Sequence, residues 1–192
     1  MRSLYVLIFI FFAQMLFAQL DADRQPYSNT RQGVDLDRWV KLPAQNWAAK
    51  KYELLQQTPG DKKPFQFGYT FEQSFSLKDG QWTTLANGDR VWTLALHSPG
   101  AVSMNVVWSD FYIPKGGALF IYNEDKSEII GAYTHRQNNK DRTLSSWLIP
   151  GDKIILEYNQ PAGLSERPDL TIGKVVHGLL GPNRAEKDLN DS

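Results

Sequence analysis

The residues able to do chemistry in this chain are few. It has three histidines, His97, His135 and His177, and no cysteine. A nucleophilic triad needs a serine, a histidine and an acid within reach of one another, and the nucleophile usually sits in a local motif such as Gly-x-Ser-x-Gly. No serine here has that elbow, and none lies in Gly-Asp-Ser-Gly. His97 falls in Leu96-His97-Ser98-Pro99-Gly100, at a strand end before a turn. Asp110 and several serines accompany it only as they would in any chain of this length. No catalytic residue is expected. Without cysteine there is no thiolate metal site, and no two histidines are spaced as a local ligand pair. Asp35-Leu36-Asp37 lacks the glycine and closing glutamate of a calcium loop, so it reads as a solvated turn. Gly116-Gly117 lacks the Lys-Ser/Thr of a phosphate loop and reads as a turn as well. The expectation is no metal and no cofactor.

Two residue types leave room for sugar chemistry. Paired carboxylates can hydrolyse glycosides, and Glu72, Glu128 and Glu157 all lie in strand patterns, where glutamate ordinarily takes the wet face. Exposed tryptophans can form a sugar-stacking platform. Trp82, Trp92, Trp108 and Trp147 sit in strand patterns that assign them to the core. Formal charge is zero and scattered, so no nucleic-acid-binding surface is expected.

The elements that would position these residues are mostly strands. Phe65, Phe67, Tyr69 and Phe71 alternate with polar residues, and Phe75 and Leu77 keep the phase. Gln81 to Ala86 and Arg90 to His97 flank Asn87-Gly88, a strong hairpin signal because both residues tolerate positive φ. Trp92, Leu94 and Leu96 mark the core face of the second strand. Ser103 to Tyr112 follows, and Pro114 to Gly117 turns the chain. Ala118 to Asn123 and Glu128 to Tyr133 make another hairpin. Asn138 to Asp141 is a polar loop, Leu144 to Ile149 a strand, and Pro150-Gly151-Asp152 a turn. Lys153 to Tyr158 and Leu170 to His177 complete the set. Short strands at this spacing, with no helices between them, predict an all-β fold. The arrangement expected is an antiparallel β-sandwich, jelly-roll-like, with a closed barrel as the lesser option. Upstream, a short N-terminal helical or extended segment holds one helix, Ala44 to Gln57, with a ragged apolar stripe.

The N-terminus reads as an export signal. Arg2 is a short positive region, Leu4 to Phe12 an apolar run, and Met15 to Ala18 a second apolar patch. Cleavage is expected between Ala18 and Gln19, although Leu16 stands where a small residue is usual. The apolar stretch is shorter than the roughly 20 residues of a spanning helix. The product is therefore secreted, periplasmic or extracellular, with no membrane association after signal removal. The zones expected are a signal peptide, 1–18; an extended or helical segment and linker, 19–63; the sandwich, 64–178; and a flexible tail, 179–192.

Several blocks then match one family in order. Val91-Trp92-Thr93-Leu94-Ala95-Leu96-His97-Ser98-Pro99-Gly100-Ala101 looks like a W-x-L-x-I-x-S-P-G-A signature. Phe111 to Tyr122, with Ile113-Pro114-Lys115-Gly116-Gly117-Ala118, comes next, followed by Gly131 to Thr134. Pro150-Gly151-Asp152, Glu157-Tyr158, Pro161 and Leu170 to His177-Gly178 complete the order. This resembles the N-terminal prodomain of secreted lysyl-endopeptidase-like serine proteases with a trypsin-type catalytic domain. The match covers about residues 64–178. It implies a non-catalytic module that assists folding and latency, with the cognate catalytic domain as partner in cis or trans. It implies no catalytic residues here, because the segment that would hold them is absent. His177 belongs to the closing His-Gly. Lys62, Lys63, Arg184 and Lys187 are candidate processing points, Lys187 first. The other reading is an extracellular binding module for carbohydrate or a cell-surface protein, carried by exposed aromatics or by the loop around Asn138, Asn139 and Asp141. An independent enzyme has no supporting motif.

Overall fold

Asn87-Gly88 closes its hairpin as the residue types require. Gly88 takes φ +85°, its N–H reaches Leu85 O at 2.9 Å, and Leu85 N–H reaches Asp89 O at 2.8 Å. The flanking strands are β3, Gln81–Thr84, and β4, Arg90–His97. The protein is seen here as a computed structural model that describes residues 24–56 and 66–181. The expected signal cleavage at Ala18 and Gln19 lies outside the described residues, as do Phe65, Lys62, Lys63, Arg184 and Lys187. Among the described residues no helix is long and apolar enough to cross a membrane.

The fold is all-β. In chain order its elements begin with α1, Tyr27–Thr30; β1, Trp39–Lys41; α2, Trp47–Leu55; and β2, Gly68–Phe71. After β3 and β4 come β5, Ser103–Tyr112; β6, Ala118–Asn123; and β7, Ile129–Tyr133. A 3-10 turn at His135–Gln137 leads to β8, Leu144–Ser145; β9, Ile149–Pro150; β10, Lys153–Gln160; and β11, Asp169–Gly178. One sheet runs β1-β4-β10-β6-β7, with β3 sharing the edge of β4. The other runs β2-β11-β5-β8, with β9 also on β5. From β4 onward the chain passes back and forth between the sheets, as in a jelly roll. Trp92, Leu94, Leu96, Ile154 and Leu156 of one sheet pack on Met104, Val106, Trp108, Ile172 and Val175 of the other. Each such side chain contributes about 1.5–3 kcal/mol by leaving water.

Several expectations need correction. The sandwich is not wholly antiparallel: β1 pairs parallel to β4, Trp39 opposite Ala95 and Lys41 opposite His97. A hairpin cannot join parallel neighbours, and the chain between them makes α2, β2 and β3. The helix expected over Ala44 to Gln57 starts at Trp47, because Asn46 caps it by accepting from Ala49 N–H at 3.1 Å. The first alternating run forms only β2; Phe75 meets the sheet as a single bridge to Ile172. Leu144 to Ile149 is not one strand. Its ends pair with β5 as β8 and β9, and the chain bows out between them at Trp147. The start of the expected tail is ordered: Leu179 and Leu180 are buried, and both N–H groups reach Phe67 O at 3.0 Å.

The face of β4 opposite the core is also covered. Val91, Thr93 and Ala95 are buried. A second apolar cluster, Ala95, Ala118, Phe120, Tyr122, Ala132 and Ile155, lies on that side and packs against Leu36 and Trp39. The N-terminal segment from Arg24 to Lys41 therefore straps the outside of this sheet.

Candidate functional site

The blocks Ser98-Pro99-Gly100-Ala101, Pro150-Gly151-Asp152 and His177-Gly178 meet at one end of the sandwich. β4 ends at His97, and Ser98 N–H donates to Asp152 O at 2.8 Å. Asp152 Oδ2 accepts from Gly100 N–H at 3.2 Å and lies 3.4 Å from His97 Nε2. Val102 N–H donates to Gly178 O at 2.9 Å, and Gly151 N–H to Val102 O at 3.0 Å. Only glycine fits at 178, because a Cβ there would collide with Ser103 Oγ.

Ser98 Oγ and His177 Nδ1 lie 2.7 Å apart at the centre of this node. Trp47 of α2 stacks on the imidazole at 3.7 Å and 14°, and meets Tyr69 and Phe71 edge-on at 5.9 and 6.0 Å. The spacing is that of a nucleophile and its base. The rest of the geometry differs from a working pair. Both residues are 0 % exposed, so no substrate reaches the hydroxyl. Buried His177 Nε2 has no hydrogen-bond partner among the described residues, and the nearby acid, Asp152, is engaged by Gly100 and His97. What the pair can do is join the ends of β4 and β11 and seat α2.

The imidazole is held neutral. Burial pushes its pKa from 6.5 down to about 4, and the Asp152 carboxylate only partly opposes this. An orphaned buried N–H is rarer and costlier than an orphaned acceptor. The neutral tautomer that suits the site therefore carries its proton on Nδ1 and donates it to Ser98 Oγ.

A second polar group lies on the opposite side of the sheet bearing β4. Glu157 was expected on a wet strand face; it is 0 % exposed. It accepts from Tyr122 O–H at 2.6 Å and from Ser28 N–H at 3.1 Å. Asn159, with its amide turned to suit both neighbours, donates to Glu157 at 2.8 Å and accepts from Tyr27 N–H at 2.9 Å. Burial and the adjacent carboxylate push the Tyr122 phenol well above its ordinary range. The strand around Glu157 does carry a signal of this burial. Ile154-Ile155-Leu156 is a continuous apolar run, the pattern of a strand covered on both faces.

The remaining candidates separate. Trp92 and Trp108 are core, Trp82 is half-buried against it, and Trp147, expected in the core, is 76 % exposed. Asn138 braces the loop it sits in, bonding both the N–H and the O of Ile113. Asp35 Oδ1 accepts from Asp37 N–H at 2.9 Å, the expected local turn. Glu72 is exposed and pairs with Lys174 at 3.0 Å. Glu72, Glu128 and Glu157 are not brought together as a catalytic pair. Beside Leu36, Gly80 and Thr93 lies a cavity of about 10 Å³, at most one water molecule in size.

Because the folded chain protonates His177 only near pH 4 while the unfolded chain does so near 6.5, the unfolded state binds the extra proton first. The stabilisation is then complete above about pH 6.5 and is lost as pH falls toward 4, by roughly 3 kcal/mol in all. Urea unfolding at pH 7 and pH 4.5 checks this. The difference between the two pH values is expected to shrink by about 2 kcal/mol in His177→Asn; an unchanged difference contradicts a neutral buried imidazole.

The chain matches no protein-family model. A crystal structure of an exo-β-1,3-galactanase from Phanerochaete chrysosporium, with β-1,3-galactotriose, is similar at 10 % identity and a TM-score of 0.30. The similarity covers 59 % of this chain and 30 % of that one.

Proposed function

We propose that this chain is the non-catalytic prodomain of a secreted lysyl-endopeptidase-like serine protease, which assists folding of its catalytic domain and keeps it latent until cleavage. The observation that carries the reading is the convergence of the resemblance blocks. Ser98 and His177 are 79 positions apart and Gly100 and Asp152 are 52 apart, yet they share one hydrogen-bonded node. Blocks matched by accident have no reason to meet; blocks that define a module do. That convergence supports taking the resemblance as one of folded units, and the family's role for such a unit comes with it as a proposal.

Physically, a rigid β-domain that binds only the folded form of a protease stabilises that form by mass action. An extended segment laid along the cleft blocks it. Cleavage at a basic residue such as Lys187 then frees the enzyme. The chain has no chemistry of its own in this scheme. Signal removal at Ala18-Gln19 delivers it outside the cytoplasm. The test adds the purified mature chain to its cognate catalytic domain during refolding. The expected result is about a tenfold higher yield of active enzyme after cleavage and about a tenfold lower peptidase rate before it, as a submicromolar complex gives at micromolar concentration. No change in either quantity refutes the proposal.

The alternative, an extracellular carbohydrate-binding module, is favoured by one observation. Trp147 is held out between β8 and β9, where its indole faces can stack on a sugar ring. Under that reading the purified chain binds an immobilised glycan at micromolar strength, and Trp147→Ala abolishes the signal. Under the prodomain reading the array stays blank.

A further inference from the structure

The strap from Arg24 to Lys41 contacts the sheet as a ligand contacts a receptor. Its helix α1 buries no residue. Its polar side-chain contacts with the sheet are to residues 58 or more positions away. Arg24 donates to Gly116 O and Gly117 O at 2.9 and 3.3 Å. Ser28 N–H donates to Glu157, and Ser28 Oγ lies 3.0 Å from Tyr122 OH. Lys126 Nζ donates to Ser28 O and Oγ at 3.1 and 3.0 Å. Arg31 pairs with Asp89. Burial works to raise the Asp89 carboxyl, but Ala162 N–H, Asn87 and Arg31 together hold it below its ordinary range. Thr93 Oγ1 donates to Asp35 O at 3.3 Å.

The receptor side draws two of its three donors to Glu157 from the sheet itself. Tyr122 and Asn159 both donate to Glu157 from within the sheet. They orient a buried carboxylate oxygen toward one backbone N–H, and the Asn159 carbonyl toward the preceding one. A buried carboxylate is costly unless its lone pairs are filled. The outermost donor, Ser28 N–H, comes from a segment with no local tie to the site. Beneath it, Phe120 and Ile155 form an apolar floor that Leu36 and Trp39 cover.

We propose that the outer face of the β4-β10-β6-β7 sheet, centred on Glu157, Asn159 and Tyr122, is a peptide-binding site. Its ligand is residues 24–41, seated in cis here and exchangeable for the same segment of a second copy. Because the contacts reach the segment through its backbone and a few side chains, and none depends on its covalent link to the sheet, the site accepts the segment from either chain. Exchange of an identical element between copies is a low-cost route to dimers. The site is independent of any protease partner.

The test uses the mature chain with a specific protease site placed between Pro43 and Asn46, cut after folding, and a fluorescent synthetic peptide of residues 24–41. Native circular dichroism is to be confirmed after cutting. The labelled peptide is expected to exchange into the cut protein with saturable one-to-one binding, displaced by unlabelled peptide. Glu157→Gln in the protein weakens binding about tenfold. Ser28→Pro in the peptide, which removes the N–H given to Glu157 and leaves the protein untouched, does so at least as strongly. The proposal is overturned if the cut chain unfolds, if no peptide exchanges while the fold stays native, or if Ser28→Pro binds as well as the parent peptide.

Discussion

The architecture depends on one uncharged imidazole. His177 stands near the end of β11, where that strand closes on β5 and β2. Its ring takes Ser98 on one side and the face of Trp47 on another. These two contacts tie together the end of β4, the last strand and the helix that precedes β2. A charged ring here would lack a counter-ion in contact and would lose its hydration, so burial favours the neutral form. Gly178, Gly100 and Asp152 then follow as consequences. The chain must reverse beside a buried ring, and each turn needs either a missing side chain or a carboxylate to collect its N–H groups.

A Ser–His pair at 2.7 Å is a warning against reading chemistry from distance alone. Catalytic use needs access, an orienting acid on the second nitrogen and a place for substrate. Here the second nitrogen is orphaned and the hydroxyl is sealed. The same two residue types that make a nucleophile in an open cleft make a clasp in a closed one. The two outer faces of the sandwich differ in kind. One is covered by the strap over Glu157. The other carries Trp147 at its margin, bowed out between two short pairings on β5.

Much of the fold was legible in the sequence, because the signals involved are local. Asn87-Gly88, the turn at Pro114 to Gly117 and the alternation around Trp92 and Met104 each rest on neighbouring residues. The limits of β5 and β6 follow from the same patterns. What was not legible rests on contacts between distant parts. Nothing near Trp39 says that it runs parallel to Ala95. Trp147 has a strand pattern around it, yet its neighbours are claimed by β5 at either end and the middle is left in solvent. Glu157 reads as a wet residue until the strap supplies Ser28 N–H. Ser98 and His177 stand in quotable blocks, but only the folded chain shows that they touch.

The most direct test of the clasp is the protonation state of His177 itself. Nitrogen-15 NMR of the imidazole in the folded mature chain at pH 5.5 reports both ring nitrogens separately. The account predicts a neutral ring with its proton on Nδ1 and a distinct, unprotonated Nε2. Two equivalent protonated nitrogens at that pH would mean an imidazolium in the node, and would contradict the claim that an uncharged buried histidine holds this sandwich closed.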